Sequence, residues 1–354
     1  MNDYLTERRS LWDYLKEANK PIVIYGMGDG AQKILTVCGR YGIPVAGIFA
    51  SDEFVRGHSF QGYPVERLSE IEARLKEMIV LIAFGVDYDE MLQRIAELAR
   101  RQETYAPDLP VFGEELFTYD YYLEHQEEFD WVYGQLADER SRQVFADMLN
   151  FKISGKLPYL YRNMGSREED FGSILTFSGG ETYIDLGAYD GDTVEEFIRH
   201  CPDYGRILAF EPDPKNFRKL ESATAGLRDL YLVPKGSYSG EVELTFAARG
   251  GRNSSLADEG KKLRTLPMTS VDRELAGRRA DYIKMDVEGA EEPTLLGCRE
   301  TIAAWRPMLS VAAYHRSSDL FRLPRLIWEL GPEYQLYLRR HKYVPAWEIL
   351  IYAV

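Results

Sequence analysis

The stretch Glu181–Thr193, Glu-Thr-Tyr-Ile-Asp-Leu-Gly-Ala-Tyr-Asp-Gly-Asp-Thr, constrains the fold of this chain more than any other segment. It starts as an apolar run typical of a buried strand, which ends near the carboxylate of Asp185 and turns through Gly187 and Gly191. A dinucleotide-binding turn would instead have the pattern G-x-G-x-x-G, with backbone amides around a pyrophosphate. Because a carboxylate before the first glycine repels phosphate, the turn favours a ligand with an amino group.

S-adenosylmethionine has such an amino group and no phosphate, and its ribose would require a second acid. In nucleoside-binding α/β folds this acid ends the next strand, about 20 residues further along. Glu211 ends the apolar run 206–211 and meets this requirement. The alternative interpretation is an ordinary strand, turn and helix with a fortuitous acid. Two acids in the correct order favour the cofactor.

A third segment, Asp281–Glu291, has a strand that ends in an acid, followed by a Glu-Gly-Ala-Glu turn. With the segments above, it resembles the signature of the FkbM family of S-adenosylmethionine-dependent methyltransferases. The resemblance covers about residues 176–354. It also includes Phe210–Asp213, Asn253–Ser255, Thr269–Asp272 and the pair Tyr314–His315. It implies methyl transfer to oxygen, commonly on sugars or glycosylated natural products.

The composition excludes several classes of function. The chain has 354 residues, enough for two domains that each bury a core. Its formal net charge of −14 is unsuited to a polyanion, so we expect no nucleic-acid partner. No apolar run approaches the roughly 20 residues of a membrane span, and the start lacks the apolar core of a signal peptide. We therefore expect no membrane insertion and a cytoplasmic location.

Strand and helix patterns divide the chain into three parts, and the fold class is α/β. Residues 1–110 are predicted to form a small Rossmann-like α/β domain, and residues 111–175 a helical linker. For residues 176–354 the resemblance implies a class I methyltransferase sheet, which is also Rossmann-like. Two final apolar runs, 334–338 and 348–352, predict an antiparallel hairpin that closes this sheet.

The front domain contains its own glycine turn. Gly26, Gly28 and Ala31 follow a strand in the pattern G-x-G-x-x-A, with an acid, Asp52, about 25 residues later. The domain resembles the small Rossmann-like domains that precede some sugar-modifying transferases. It either binds NAD or a nucleotide sugar, or serves for docking or substrate presentation. Because the domain is too short for both halves of a dinucleotide fold, we favour docking or presentation.

The cofactor residues follow from the first two segments. Ligands of open parallel sheets bind at the carboxyl ends of the strands. We assign the methionine half of the cofactor to the turn, Glu211 to the ribose, and Asp213 or Asn216 to the adenine side. The turn residues are Asp185, Gly187, Ala188, Tyr189, Asp190 and Gly191. Thr193 is interpreted as a helix cap.

The acceptor side is expected at the turn after Asp286. Asp286, Glu288 and Glu291 could polarise a hydroxyl, hold a sugar by paired hydrogen bonds, or bind one hard cation, and the sequence does not choose among these. We assign no metal ligand. Helix capping is the alternative for Glu288 and Glu291. Lys284, inside the strand, is expected to pair with one of these acids.

A general base is needed because sugar hydroxyls do not ionise at neutral pH. His315 comes directly after a predicted strand, on the ligand side of the sheet, and we predict that it is this base. The alternative is a histidine that bonds a neighbouring loop.

Two further segments have open interpretations. The aromatic stretch 157–164, with Tyr159 and Tyr161, either lines the acceptor cleft or belongs to the core. The polar, glycine-rich segment 250–255 is either a lid or an ordinary connector. Neither pattern decides between its alternatives.

The expected partner is a small-molecule or glycan acceptor, and a homo-oligomer is compatible with the sequence. Two other classes of function remain. One is an NAD(P)-dependent oxidoreductase or epimerase of sugar nucleotides, which would use Gly26 and Gly28. The other is a catalytically silent scaffold. Acids at three strand ends, Asp185, Glu211 and Asp286, argue against the scaffold.

Overall fold

The computed structural model describes residues 4–52, 55, 57, 59–247, 255–256 and 263–354. Residues 250–254 of the segment interpreted as a lid or connector lie outside this part of the chain. Among the residues that the structure describes, no helix has both the length and the apolar character needed to cross a membrane.

The front domain is a parallel sheet with one antiparallel edge strand. Its strands are β1 (Ile22–Tyr25), β2 (Val45–Ala50), β3 (Ser59–Phe60), β4 (Tyr63–Arg67), β5 (Ile79–Ile82) and β6 (Glu103–Tyr105). Its helices are α1 (Leu11–Glu17), α2 (Asp29–Tyr41), α3 (Leu68–Leu75) and α4 (Asp89–Arg101). The order across the sheet is β3-β4-β2-β1-β5-β6. Strands β1 and β5 are fully buried and consist of branched apolar residues except for Tyr25, as expected for strands covered on both faces.

Helices occupy most of the region between the two large sheets. They are α5 (Tyr119–Glu124), α6 (Gln126–Gln135), α7 (Glu139–Ser154), α8 (Pro158–Tyr161) and α9 (Arg167–Ser173). Asp138 caps α7 by accepting a hydrogen bond from the backbone amide of Ser141. Side chains of this region share one continuous core with both sheets, for example Phe129 with Val23 of the front sheet and Ile184 of the C-terminal sheet. The helices therefore join the two sheets into one packed body.

The C-terminal domain has a seven-stranded sheet. Its strands are β7 (Thr182–Leu186), β8 (Arg206–Phe210), β9 (Leu230–Val233), β14 (Tyr282–Met285), β15 (Met308–Ala312), β16 (Leu336–Arg340) and β17 (Ile349–Ala353). The order across the sheet is β16-β17-β15-β14-β7-β8-β9, and only β17 is antiparallel to its neighbours. The predicted class I sheet with its C-terminal antiparallel hairpin is confirmed.

The remaining elements surround this sheet. The helices are α10 (Asp192–His200), α11 (Pro214–Ala223), α12 (Val271–Leu275), α13 (Glu291–Leu296), α14 (Arg299–Trp305) and α15 (Asp319–Leu330). A separate small sheet contains β10 (Gly236–Ser237), β11 (Val242–Ala247), β12 (Ser255–Leu256) and β13 (Leu263–Thr269). The order of the large sheet reverses between β7 and β14, and ligands of such sheets bind at this reversal.

Candidate active site

A cavity of about 840 Å³ opens at the carboxyl ends of β7, β8, β14 and β15. This volume suffices for a ligand the size of a nucleoside cofactor together with a small acceptor. Its wall includes residues from all four strand ends, from the small sheet and from the loop between β16 and β17. The topology therefore brings distant parts of the sequence to one site.

Asp185 lies behind the cavity wall, in a buried ion pair. The side chain has no exposed surface, and its carboxylate lies 3.1 Å from Nζ of Lys284. The hydroxyl of Thr193 donates to the other carboxylate oxygen at 2.6 Å. Because Asp185 and Lys284 are register partners on neighbouring strands, the sheet itself positions the pair. A direct contact of Asp185 with an amino group of the ligand was expected. In the structure, Lys284 neutralises this carboxylate instead.

Lys284 and Thr193, rather than Asp185, border the cavity. Burial lowers the pKa of Lys284, but the carboxylates of Asp185 and Asp286 outweigh this effect and raise it, so the side chain is an ammonium. Its Nζ also donates to the carbonyl of Gly187 at 2.8 Å. Lys284 was expected to pair with an acid of the next turn, and it pairs with Asp185 instead. The cap interpretation of Thr193 is wrong, since its hydroxyl holds Asp185.

The glycine turn is shaped by close backbone approach. Gly187 has a φ of +81°, and a Cβ there would lie 2.0 Å from the carbonyl oxygen of Asp286. No side chain fits at this position. Gly191 adopts the left-handed conformation immediately before α10. The turn therefore brings the end of β7 against the end of β14.

The other turn residues differ in their access to the cavity. Tyr189 borders it, and Nζ of Lys219 lies 5.1 Å from the centre of the tyrosine ring. Ala188 is fully buried. Asp190 is half-buried in the turn. Of these three expected cofactor residues, Tyr189 is the one that borders the cavity.

Glu211 is a buried acid that borders the cavity. Its two carboxylate oxygens accept hydrogen bonds from the backbone amides of Tyr189, at 3.0 Å, and Asp213, at 2.8 Å. Burial raises the pKa of Glu211 to about 7, although these amides act in the opposite direction. The amides fix both oxygens in place, so the carboxylate can accept hydrogen bonds from two neighbouring hydroxyls.

Asp213 and Asn216 are placed next to Glu211, and both border the cavity. The carboxylate of Asp213 caps α11 by accepting from the amides of Lys215 and Asn216. It also forms an ion pair with Arg264 of the small sheet at 2.9 Å. Helix capping accounts for Asp213 in this structure, and Asn216 remains available to a ligand on the first turn of the helix.

Asp286 and Glu288 form the opposite, acidic end of the cavity. Both border it, with side chains 32% and 39% exposed, so a ligand can reach either carboxylate. The hydroxyl of Tyr314 donates to Asp286 at 3.2 Å. Glu288 has a φ of +54°, which turns the chain sharply before α13. The acids expected on the acceptor side are therefore accessible.

His315 lies behind these acids and is completely buried. Nδ1 lies 3.0 Å from Glu291, and Nε2 lies 3.5 Å from Asp286 and 3.6 Å from Glu288. Burial lowers the pKa of His315, but the three carboxylates outweigh it and raise the pKa to about 10. The expected role as general base does not fit, because a charged imidazole without exposed surface cannot take a proton from an acceptor.

Glu291 is as buried as the histidine, so it does not contact an acceptor in this structure. Its Oε1 accepts hydrogen bonds from the backbone amides of Val287, at 3.0 Å, and Gly289, at 3.3 Å. It thus holds the turn together and faces His315. Since no side chain caps α13, Glu291 stabilises the turn before the helix, which differs from both the catalytic role and the helix-capping role expected from the sequence.

The segment after the front sheet covers the acidic turn. The backbone amide of Phe112 donates to the carbonyl of His315 at 3.0 Å, and the ring packs against Gly289, where an added Cβ would lie 2.7 Å from it. Val111 borders the cavity itself. Lys33 of the front domain donates to the carbonyls of Pro110 and Val111. The front domain thus contributes to the shape of the site.

Aromatic residues of the loop between β16 and β17 form another wall. Tyr343 and Trp347 border the cavity, and their ring centres lie 5.6 Å apart. The front domain supports this loop, because Val86 and Val344 exchange two backbone hydrogen bonds at 2.8 and 2.9 Å. An added Cβ at Gly85 would contact both rings. Neither Tyr343 nor Trp347 was predicted as a site residue, although a tyrosine and a tryptophan in a polar hairpin loop were a visible signal in the sequence.

The aromatic stretch 157–164 does not line the cavity that the structure describes. Tyr159 is buried and donates a hydrogen bond to Glu7 at 2.7 Å. Tyr161 is 43% exposed, away from the cavity wall. Of the two interpretations, the structure supports a packing role, because the N-terminal segment occupies the face of the stretch.

The cavity fits S-adenosylmethionine in size and donor set. At one end Glu211 can accept from the ribose hydroxyls, and Asn216 lies beside it for the adenine. The cavity wall near the glycine turn includes Tyr189, Thr193 and Lys284. The ammonium of Lys284 can bind the carboxylate of an amino acid. Asp286 and Glu288 lie at the other end. The arrangement can hold a nucleoside with an amino acid tail next to a proton acceptor.

Comparisons with known proteins agree with this geometry. Residues 185–345 match the family model described as Methyltransferase FkbM domain. The crystal structure of methyltransferase FkbM from Methylobacillus flagellatus KT has a TM-score of 0.72 at 20% identity, over 95% of this chain and 90% of that chain. No curated protein matches this chain.

Two other solved structures resemble about half of this chain more distantly. Aeropyrum pernix fibrillarin, in complex with natively bound S-adenosyl-L-methionine, has a TM-score of 0.33 at 14% identity, over 52% of this chain and 70% of that chain. Precorrin-6y C5,15-methyltransferase from Geobacter metallireducens GS-15 has a TM-score of 0.34 at 15% identity, over 55% of this chain and 91% of that chain.

Proposed function

Since residues 185–345 form a methyltransferase domain of the FkbM family, we propose that this protein transfers a methyl group from S-adenosylmethionine to a sugar hydroxyl. The acceptor is a nucleotide sugar, a glycan or a glycosylated natural product, and the location is the cytoplasm. One observation supports the proposal above all others. A single cavity has a buried acid for a ribose at one end and two accessible acids at the other.

S-adenosylmethionine supplies a methyl group that its sulfonium has already activated. The protein must therefore bind and align the two reactants and exclude water. Glu211 accepts hydrogen bonds from the ribose hydroxyls, with its oxygens fixed by two backbone amides. Lys284 holds the carboxylate of the methionine moiety, and Asp185 holds Lys284. This assignment replaces a direct contact of Asp185 with the cofactor.

The acceptor hydroxyl loses its proton to Asp286 or Glu288. Either carboxylate can approach a hydroxyl in the cavity, whereas His315 and Glu291 are buried behind them. Tyr314 orients Asp286 by donating a hydrogen bond. Tyr343 and Trp347 present ring faces on which a sugar can stack. Together these groups select a polyol over an apolar acceptor.

Calorimetry with S-adenosylhomocysteine and with NAD tests the cofactor. We expect binding of S-adenosylhomocysteine and no comparable affinity for NAD. Tight NAD binding without a response to S-adenosylhomocysteine would instead favour an oxidoreductase or epimerase. Failure of both ligands to bind would favour the silent scaffold.

Cell extracts incubated with methyl-labelled S-adenosylmethionine test the acceptor. We expect the label on the oxygen of a sugar, and a label on nitrogen or carbon would contradict the proposed reaction. Asp286→Asn should lower turnover by about 10²–10⁴-fold if this acid is the base. Glu195→Gln, at a largely exposed glutamate on the edge of the cavity, is the matched control. An equal loss in both variants would exclude a specific role of Asp286.

A further inference from the structure

The nitrogen atoms of His315 have different surroundings. Nδ1 lies 3.0 Å from Oε1 of Glu291, an oxygen that two backbone amides already fix in place. Nε2 points between the carboxylates of Asp286 and Glu288, at 3.5 and 3.6 Å. Within the described part of the chain, neither buried ring nitrogen forms a hydrogen bond of good geometry, and Nδ1 has a carboxylate at 3.0 Å whereas Nε2 has none closer than 3.5 Å.

The distances around Nε2 are too long for hydrogen bonds. An N–H donor to a carboxylate lies about 2.7–3.2 Å from its acceptor. In a tetrahedral metal site with bonds of about 2.1 Å, by contrast, two ligand atoms lie roughly 3.4 Å apart. The spacings of 3.5 and 3.6 Å therefore match ligands around a cation better than a donor and its acceptors.

The arrangement of Glu291, His315 and the two accessible acids also matches the usual environment of a metal-binding histidine. Such a histidine donates one ring N–H to a carboxylate and ligates through the other nitrogen. Glu291 is placed to accept from Nδ1, and Nε2 faces Asp286 and Glu288, so a cation bound there would take the place of the Nε2 proton. Donor atoms of Asp286, Glu291 and His315 all lie within 4.8 Å of one another.

The charge of this cluster also favours a cation. Three carboxylates, Asp286, Glu288 and Glu291, surround one imidazole within 3.6 Å. The nearby guanidinium of Arg316 donates to the carbonyl of Gly289 instead. The ammonium of Lys284 is shared between Asp185 and Asp286, and a divalent cation in place of the Nε2 proton would further reduce the negative charge of the cluster.

We infer that His315 Nε2, Asp286 and Glu288 bind a divalent cation of borderline softness, Zn²⁺ or Mn²⁺, with Glu291 orienting the histidine. One imidazole with two carboxylates suits these ions, whereas Ca²⁺ and Mg²⁺ prefer oxygen ligands alone. Asp286 and Glu288 border the cavity, so the remaining coordination positions face the acceptor.

The role of the cation rests on the proposed methyl transfer. An acceptor hydroxyl bound to the cation ionises more readily, as a bound water does. Its oxygen then forms the bond to the methyl carbon while the bond from that carbon to sulfur breaks, which leaves S-adenosylhomocysteine. The hydroxyl proton passes to the other carboxylate oxygen of Glu288. No oxidant or further reactant is required.

Metal binding is measured without any acceptor. Protein treated with EDTA is titrated with Mn²⁺, followed by electron paramagnetic resonance, and separately with Zn²⁺, followed by calorimetry. We expect one metal site per chain, at which Zn²⁺ and Mn²⁺ compete. Saturation only above about 1 mM for both ions would overturn the inference.

Variants locate the site. The side chains of Glu288 and Asp286 are partly exposed, so Glu288→Gln and Asp286→Asn should keep the fold. Each variant should weaken metal binding at least about tenfold. His315→Ala should abolish binding if the variant folds. Glu195→Gln, an acid outside the cluster, should bind as the original chain does. Unchanged affinity in both Glu288→Gln and Asp286→Asn would overturn the assignment.

Binding of S-adenosylhomocysteine to the same EDTA-treated protein separates this inference from the proposed function. If S-adenosylhomocysteine binds and neither metal does, the cation site is refuted and the methyltransferase proposal stands. If the metals bind and S-adenosylhomocysteine does not, the proposed function fails while the cation site remains.

Discussion

The protein contains two glycine turns with the same local fold and different chemistry. The front turn, Gly26–Gly28, connects β1 to α2, and the turn Gly187–Gly191 connects β7 to α10. In the front sheet the strand ends at Tyr25, whose ring stacks on Phe49. In the C-terminal sheet the corresponding strand contains Asp185, paired with Lys284. A glycine turn alone therefore indicates only the fold. The charged groups at the end of the strand decide whether the turn can bind a polar ligand.

The neighbouring strands show the same contrast. Ser51 follows the second front strand and forms a hydrogen bond with the hydroxyl of Tyr25 at 2.8 Å. Glu211 follows the equivalent strand β8 and borders the large cavity. At the strand ends of the front sheet, Ser51 and Tyr25 bond to each other, whereas the end of β8 presents the buried acid Glu211 to the cavity. This difference explains why we place the cofactor in the second turn.

The largest effect should follow the loss of the buried ammonium. Lys284→Met leaves Asp185 charged and buried, so we expect the free energy of unfolding to fall by about 3–5 kcal/mol. The affinity for S-adenosylhomocysteine should also fall. Chemical denaturation and calorimetry measure the two effects.

The control is a second buried pair whose residues do not border the cavity. Lys152 lies 3.1 Å from Asp108, with side chains 2% and 7% exposed. Lys152→Met should destabilise the protein to a similar extent, and the folded fraction should bind S-adenosylhomocysteine normally. Equal cofactor affinity in the two variants would mean that the pair of Asp185 and Lys284 is purely structural.

The second-largest effect concerns replacement of a glycine by alanine, which the two turns should tolerate differently. Gly28 has a φ of +113°, and an added Cβ there meets no atom within 4 Å, whereas at Gly187 it would overlap the carbonyl of Asp286. Both alanine variants have backbone strain, but only Gly187→Ala adds overpacking, so it should be less stable by about 1–3 kcal/mol than Gly28→Ala. Denaturation curves measure this difference. Gly28→Ala should leave binding of S-adenosylhomocysteine unchanged, and equal damage in both variants would refute the comparison.

The smallest effect concerns the protonation of Glu211. Burial raises its pKa to about 7, so the ionised form, which we propose accepts from both ribose hydroxyls, is lost as the pH falls below 7. Affinity for S-adenosylhomocysteine should therefore rise roughly tenfold between pH 6 and pH 8 and then level off. Calorimetry across this range measures the profile. Glu211→Gln should bind more weakly with a flat profile, and an affinity that falls with rising pH would contradict the role of the carboxylate.

The sequence predicted the sheet and the strand ends well, for a physical reason. Apolar runs that stop at an acid locate both the end of a strand and a polar group, as at Glu211 and Asp286. Since carboxyl ends of parallel strands meet at one edge, the order of these segments already indicated a common site. The final hairpin followed from two apolar runs with a polar loop.

Contacts between distant segments were not predictable in this way. The pairing of Lys284 with Asp185 depends on which strands are neighbours and on their register. The burial of His315 depends on Phe112, which arrives from the end of the front domain. For the same reason the tyrosines at 159 and 161 were assigned two alternatives, and the wall at Tyr343 and Trp347 was missed.

The segment with Phe112 makes the C-terminal domain depend on the front domain. A boundary drawn at residue 175 looks like a natural place to excise the second domain, yet the ring against Gly289 and the strand bridge at Val86 belong to what would be removed. Excision would uncover His315 and release the loop with Trp347. The two domains are therefore one structural unit, and replacing the front domain would change the wall of the cavity.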